Sequence, residues 1–421
     1  VAFTNLIASL KSGKTRFFVA IALLLFVLPF GHQFATNLAL TTVLINSLFS
    51  LRLADWKSAF THPVFLLSAA FFGYHALSLL WSGDVDNGLR QLETKASLLA
   101  APLVLAANVR FMDEQNRTAW LKVFVAGCVA VLIAAFGIAF YTYLGTDEMV
   151  GGKAQLFTYV YLAAPFMHPG YLSTYIGVAI LVCVYFLFFK TDGPKSPWVA
   201  ALAFLFIGMF LLQGRINILA LFIVLGAGSL LAAILMRAYK WLLIPVVPVV
   251  LFIGLLVFGS DAVKRRFLLF PNFEYDISAD ATEFNSATYR LAEWTCAWDV
   301  IVANPIIGVG IGSNNQELIN AYQQRGFWEG VKQKYNAHNQ FLETMLVGGV
   351  IGLLLLLLLL GGYAWRMFKN KDYFLLAALA FFAVSMITES MFERAWAVIL
   401  YAVFFPLFLL CSPKGATNRS A

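Results

Sequence analysis

The sequence predicts an all-α, polytopic membrane protein, with about 12 transmembrane helices and one large, partly helical loop on the outer face. Three observations predict it. The 421 residues are 61% hydrophobic and only 12% charged, against about 45–50% and about 25% in an ordinary soluble domain. Mean hydropathy is +0.79. Apolar runs of about 20 residues recur, the length of helix that crosses a bilayer core; the weak alternating segments of a β-barrel are not seen.

Taken in order, the expected spans are roughly 16–31, 34–51, 63–81, 94–109, 119–144, 170–189, 197–213, 215–236, 241–258, 337–363, 373–389 and 394–411. The first run, Phe17 to Phe30, follows Lys11, Lys14 and Arg16 as a signal peptide would. No small-residue cleavage site follows it, so it reads as a retained span. The fourth has an alternative: Arg90, Glu93 and Lys95 crowd its start, and it could enter as an interfacial helix. The division expected is residues 1–258 as the first nine helices, 259–337 as an outer loop domain, and 338–421 as the last three helices.

Cysteine usage excludes a disulfide framework. Cys128, Cys183 and Cys411 fall in apolar spans, Cys296 stands alone in the loop, and no CxxC or Cys/His metal spacing exists. The net charge of +7 raises nucleic acid as a partner, but basic loops in a membrane protein report orientation. With the N-terminus in the cytoplasm, 17 of the 29 Lys and Arg residues fall inside. Of the others, seven belong to the one long loop, which the positive-inside rule discounts. Both termini are therefore expected in the cytoplasm. The loop, the Gln213-Gly214-Arg215 junction and the Glu389–Arg394 junction are expected outside.

The long loop carries helix signals. Ser286 can cap a helix ended by Asn304-Pro305, and Ser313-Asn314-Asn315-Gln316 reads as a capping box opening a second one to about Arg325. Between them, Gly308, Gly310 and Gly312 do not follow a strand, so they are no dinucleotide fingerprint; they suit a backbone passing close to a helix or a substrate. Lys264, Arg265 and Arg266, set among apolar anchors, suit a segment lying on anionic headgroups. A smaller outer loop carries Lys153 and His168.

The candidate chemistry gathers at the outer boundary. Arg215 sits in the first turn of a helix, where the macrodipole favours anions. A bound anion resolves that conflict, with backbone N–H groups and guanidinium aimed at one target; a snorkelling arginine is the plainer alternative. Gln213 and Gly214 precede it, the glycine allowing close approach. Arg290, Trp294 and Trp298 are spaced i, i+4, i+8, a face expected to press on the membrane domain, although a surface cation–π pair fits as well. His338 opens the tenth span, where a helix N-terminus and nearby cations push its pKa down, making it a neutral base at pH 7. Asn339 and Glu343 stand i, i+4 beside it, and an intramembrane carboxylate is a functional hypothesis by default. Glu343 could orient His338 or pair with an arginine. Glu389 is a further suspect, Glu393 and Arg394 can pair with each other, and His168 opens the sixth span with structural and functional readings balanced. Asp84-Val85-Asp86 suggests a metal-dependent glycosyltransferase, but no third ligand is evident. No nucleophile elbow, HExxH or Walker sequence occurs.

These residues carry a resemblance. His338-Asn339-x-Phe341-Leu342-Glu343 followed by Gly348-Gly349 and Gly352 resembles the hallmark of the bacterial O-antigen ligase and polymerase superfamily. Arg290-Leu291-x-x-Trp294, leading to Asn304-Pro305-Ile306-Ile307-Gly308-Val309-Gly310, resembles its preceding loop segment, and Gly214-Arg215 with Leu219-Ala220 its other arginine motif. The likeness covers about residues 210 to 352; the first 200 residues agree only in hydropathy and span count.

The resemblance implies a GT-C-like, metal-independent, inverting glycosyltransferase without a cofactor, acting at the periplasmic face of the bacterial inner membrane. The donor would be O-antigen on undecaprenyl pyrophosphate and the acceptor lipid A–core oligosaccharide. Membrane lipid would be a partner and nucleic acid would not. His338, Arg215 and Arg290 would be catalytic. Asn339, Glu343, Gln213, Lys153, His168, Arg265, Arg266, Glu389 and Arg394 would bind substrate, and no metal would be held. A single dominant outer loop and a short tail after the last span favour a ligase over a polymerase or a protein-directed oligosaccharyltransferase. A lipid-linked oligosaccharide transporter is the rival of another class, but it would place its polar sites near the midplane between repeated halves, and no internal repeat is evident.

Overall fold

A computed structural model describes residues 12–147, 149, 152–190, 193–235 and 286–412, with a few isolated positions between 237 and 277. It is helical throughout these residues. In chain order the helices are α1 Gly13–Val27, α2 Gln33–Ser50, α3 Leu53–Phe60, α4 Pro63–Leu77, α5 Val85–Lys95, α6 Ser97–Ala107, α7 Glu114–Gly145, α8 Tyr159–Ala163, α9 Pro169–Phe188, α10 Ser196–Leu211, α11 Arg215–Leu235, α12 Ser286–Ala303, α13 Asn314–Gln324, α14 Trp328–Gln333, α15 Gln340–Lys369, α16 Tyr373–Ser385 and α17 Ala395–Leu410.

Five of these, α1, α4, α7, α9 and α15, belong to helices long and apolar enough to cross a membrane, and α10, α11, α16 and α17 are shorter apolar helices. That is the make-up of a polytopic membrane protein. The expected second span forms α2. The expected fourth is broken: α5 ends at Lys95 and α6 has only 11 residues. Even so, the stretch from Lys95 to Arg110 links the two ends of the bundle. At its start Lys95 meets Glu393 at 2.8 Å, and towards its end Asn108 donates to Ser47 and Arg110 to the Ser50 carbonyl. The ninth span, 241–258, and the stretch holding Arg265 and Arg266 lie outside the described residues.

Local chemistry sets the helix starts. His62-Pro63 and His168-Pro169 open α4 and α9 alike: proline at the first turn presets φ, and the preceding histidine caps through Nδ1, accepting from the Val64 and Gly170 amides. Asp113 caps α7 and Asp84 caps α5, so Asp84 has a structural task. Ser313 precedes α13 but makes no cap; its hydroxyl accepts from the Gly83 amide at 2.6 Å instead. The expected capping box gives way to a tertiary contact.

The core centres on α9, whose apolar stretch is 83% buried where those of the other four long helices reach 33–44%. It packs against α10, α16, α7 and α11. The near-invisible apolar moment of such a helix reflects burial on all sides.

Charges divide by end. At one end lie Lys14–Asp113, Arg110–Asp55, Arg117–Asp372 and Lys190–Glu114. The opposite end gathers the starts of α9, α11, α15 and α17 and the finish of α16. There α12, α13 and α14 lie over the bundle, with α12 packed on α15.

The span expected at 337–363 starts at Gln340 and is broken at Gly349, whose φ of 59° and ψ of −155° interrupt the helix. Pro305–Gly310 fills the break. The Val309 and Gly310 amides donate to Leu346 and Val347 carbonyls at 2.8 and 3.0 Å, while the Val350 amide donates to the Pro305 carbonyl at 2.9 Å. Gly308 and Gly349 make this approach possible: a Cβ on Gly308 would sit 2.5 Å from the Leu346 oxygen, and one on Gly349 would overlap the Ile306 backbone. The glycine run serves close backbone passage.

Candidate active site

His338 stands in the link between α14 and α15, at φ +41°. A non-glycine residue is strained there, and its surroundings hold it. Its amide donates to Asn336 Oδ1 at 2.9 Å. On one side, Glu343 Oε2 accepts from the Ala337 amide at 3.0 Å. On the other, the Asn339 amide donates to Ser390 Oγ, and Asn339 Oδ1 caps α15 through the Phe341 and Leu342 amides. Asn339 is thus a cap. Glu343, 1% exposed, is a clamp that also accepts from Asn314 Nδ2 at 2.7 Å. It does not reach the His338 ring.

The ring has another carboxylate. Its Nδ1 lies 3.0 Å from Glu293 Oε2, on α12, and Glu293 is 2% exposed. Burial raises the Glu293 carboxyl above its usual range, opposed by the hydrogen bond and charge of His338. Burial works against the His338 imidazolium, but the Glu293 hydrogen bond and charge outweigh it and raise its pKa. This corrects the expectation of a depressed value. Arg290 pushes it down as expected, but a buried carboxylate in contact, with Glu389 beside it, acts more strongly. With Nδ1–H donated to Glu293, Nε2 keeps the lone pair that can accept a proton.

Arg290 lies one turn before Glu293 on α12. Its Nε donates to the Thr388 carbonyl at 3.1 Å and its Nη2 meets Glu389 Oε1 at 3.0 Å. Of the face read from the sequence, Arg290 turns inward and Trp294 is half-buried, but Trp298 is 53% exposed. Glu389, 6% exposed, also faces the turn that opens α9: a Cβ on Gly170 would sit 3.4 Å from its Oε1. His168 caps that turn and rings edge-on against Tyr171. Desolvation lowers the His168 pKa; Glu389 pulls it up, and His338, Arg290 and Arg394 push it down. All five groups share one electrostatic neighbourhood.

Arg215 reaches the same end by a different route. Gln213, at φ +54°, turns the chain between α10 and α11. Gly214 lies against Ser173, where a Cβ would come within 2.7 Å of the hydroxyl. Two residues past Arg215, Asn217 donates to the Gly170 carbonyl at 2.8 Å and accepts from Ser385 Oγ at 2.9 Å. The start of α11 is thus tied to the His168 turn and the finish of α16. Arg394 precedes α17, is exposed, and lies beside Tyr171. Glu393 does not pair with it; it takes Lys95, which is 1% exposed.

The structure therefore brings together His338, Arg290, Glu389, His168 and Arg394, with Gln213 and Arg215 on the adjoining turn. Lys153 stands apart, over the Tyr143 ring at 5.1 Å. Glu293 was missed by the sequence reading, although it lies i+3 from Arg290 on the same helical face. Among the described residues no three His, Cys, Asp or Glu side chains could hold a metal ion together. The arrangement offers one oriented imidazole and a set of cations: the means to take a proton and to hold an anion.

Residues 200–357 match the family model described as O-antigen ligase. No curated protein matches the chain. The matched segment runs from within α10 into α15, and so carries Gln213, Arg215, Arg290, Glu293, His338, Asn339 and Glu343.

Proposed function

We propose, from the match of residues 200–357 to the O-antigen ligase family model, an inverting, metal-independent glycosyltransferase at the periplasmic face of the bacterial inner membrane. It moves O-antigen polysaccharide from undecaprenyl pyrophosphate to a sugar hydroxyl of lipid A–core, a step of lipopolysaccharide biosynthesis. The observation that carries this reading is the His338–Glu293 contact at 3.0 Å beside Arg290.

The acceptor hydroxyl is a poor nucleophile until its proton is taken. His338 Nε2 takes that proton while the hydroxyl oxygen bonds to the anomeric carbon. The bond from that carbon to the pyrophosphate oxygen breaks on the opposite face, inverting the centre, and the polyprenyl pyrophosphate leaves as an anion. Glu293 holds the ring and balances the imidazolium that forms, the orienting task of the third member of a catalytic triad. Arg215 and Arg290 stabilise the leaving charge; removing one such donor costs about 3–4 kcal/mol of transition-state stabilisation. Arg290 is already paired with Glu389, so the diphosphate competes for it, and Arg394 and neutral His168 line the approach. Gln213 lies beside Arg215 on the approach, and Asn339 and Glu343 act by holding the backbone on either side of His338.

The test is purified protein with lipid-linked glycan and lipid A–core, following which acceptor gains mass. His338→Ala, Arg215→Ala and Arg290→Ala should each lose transfer while remaining folded in membranes, and EDTA should leave the wild type unchanged. Mass gained by a second lipid-linked repeat, or by protein, moves the reading to a polymerase or a protein-directed transferase. Wild-type rates from any of the three variants remove that residue from the mechanism.

A further inference from the structure

The segment that plugs the break in α15 points to a second membrane contact. Counting back from Arg366, the first charge near the far end of α15, about 20 helical residues cross a hydrocarbon core about 30 Å thick. The outer edge of that core then falls near Leu346. Pro305 and Ile306 accept from the Val350 and Ile351 amides, which puts them about one helical turn, or about 5–8 Å, inside that edge. Backbone at such depth must have its polar groups satisfied, and here the broken helix does so: Val309 and Gly310 donate to its free carbonyls.

The side chains agree. From Val300 to Gln316 the chain carries no charge. Trp298, Val302 and Ile306 follow i, i+4, i+8 spacing and are 53%, 60% and 62% exposed. Ile307 is exposed beside them, as are Val350 and Ile351 on the same level of α15. The exposed face adjoins the exposed Val350 and Ile351 of a spanning helix on one side, and Ser313 and Glu317 border it on the other.

We propose that residues 298–309 form an anchor that dips into the hydrocarbon of the outer leaflet. A depth of about 5–10 Å is usual for interfacial anchors. The other end of α12 is pinned through Arg290 to Thr388 and Glu389. The anchor therefore fixes the height of Arg290, Glu293 and His338 above the lipid, and so the reach to a phosphate at the headgroup level. This deepens the proposed function and rests on it for the sidedness, but its test needs no transfer.

Single spin labels at Ile306→Cys and Val302→Cys, in nanodiscs of phosphatidylethanolamine and phosphatidylglycerol, are read by collisions with oxygen and with a water-soluble nickel chelate. The four native cysteines are all buried, and labelled wild type gives the background. Leu354→Cys, on the exposed face of α15, is the membrane reference, and Asn315→Cys the aqueous one. The expected result is oxygen access with nickel collisions lost to the Leu354→Cys level at both positions. Nickel access like that of Asn315→Cys overturns the anchor, and so does shielding from both reagents, which would mean a protein partner covers the face. If transfer is never found but the labels lie deep, the anchor stands and the enzymatic reading falls; shallow labels with active protein give the reverse.

Discussion

Replacing Glu293 by glutamine keeps the size of the side chain and removes its charge. In the wild type, Glu293 Oε2 lies 3.0 Å from His338 Nδ1. A glutamine can donate to Nδ1, which moves the ring proton to Nε2 and abolishes the base, or accept from Nδ1–H without the charge. Hydrogen bonds to charged partners contribute about 1.5–3 kcal/mol, so the plateau rate should fall about 10- to 150-fold at 1.36 kcal/mol per decade. The pH profile carries a second signature. Burial disfavours the His338 imidazolium, and it is Glu293 that raises its pKa above the ordinary value. Without that carboxylate, burial and Arg290 dominate, so the acid limb of the rate profile should move to lower pH. The stability sign follows the same shift. The His338 contribution is full below the unfolded histidine value of about 6.5 and is lost as pH rises through the raised folded value. Glu293 works against it, because ionising under burial costs stability as pH climbs past the usual carboxyl range. The ion pair therefore exists between the two raised values, and Glu293→Gln should flatten the thermal stability profile there. Initial rates of glycan transfer in nanodiscs from acid to mild alkali, with melting temperatures alongside, measure both. An unchanged acid limb together with a wild-type plateau would refute the dyad.

Two further outcomes test the framework. Gly349→Ala puts a side chain at φ +59°, against the Ile306 backbone; strain of this kind costs about 1–3 kcal/mol, so the melting temperature should fall and the 298–309 segment should become protease-sensitive, whereas wild-type behaviour would mean the break is not held as described. Lys95→Met leaves Glu393 buried at 11% exposure without its partner, at a cost of about 3–5 kcal/mol, while Lys95→Met with Glu393→Leu should recover most of the loss; equal melting temperatures for the single variant and wild type would show that the pair contributes nothing.

Much was decided by the chain alone. Uninterrupted apolar runs, such as Leu353–Leu360, have no soluble alternative, because the bilayer forces their backbone to pair within the segment. Helix ends followed from local rules where the partner is local, as in the His168-Pro169 and Asn339 caps. The charge count separated Lys14, Arg110 and Arg117 from Arg290, and the two groups do lie at opposite ends of the bundle. What tertiary structure decided was who meets whom. Ser313 left its expected cap for Gly83, some 230 residues away in the chain, and Glu343 clamps the Ala337 backbone while Glu293 takes the ring. Propensity and periodicity report on neighbours within a turn or two. The protonation of His338, the partner of Arg290 and the plug in α15 depend on residues brought together only after the helices pack, and no spacing along the chain encodes them.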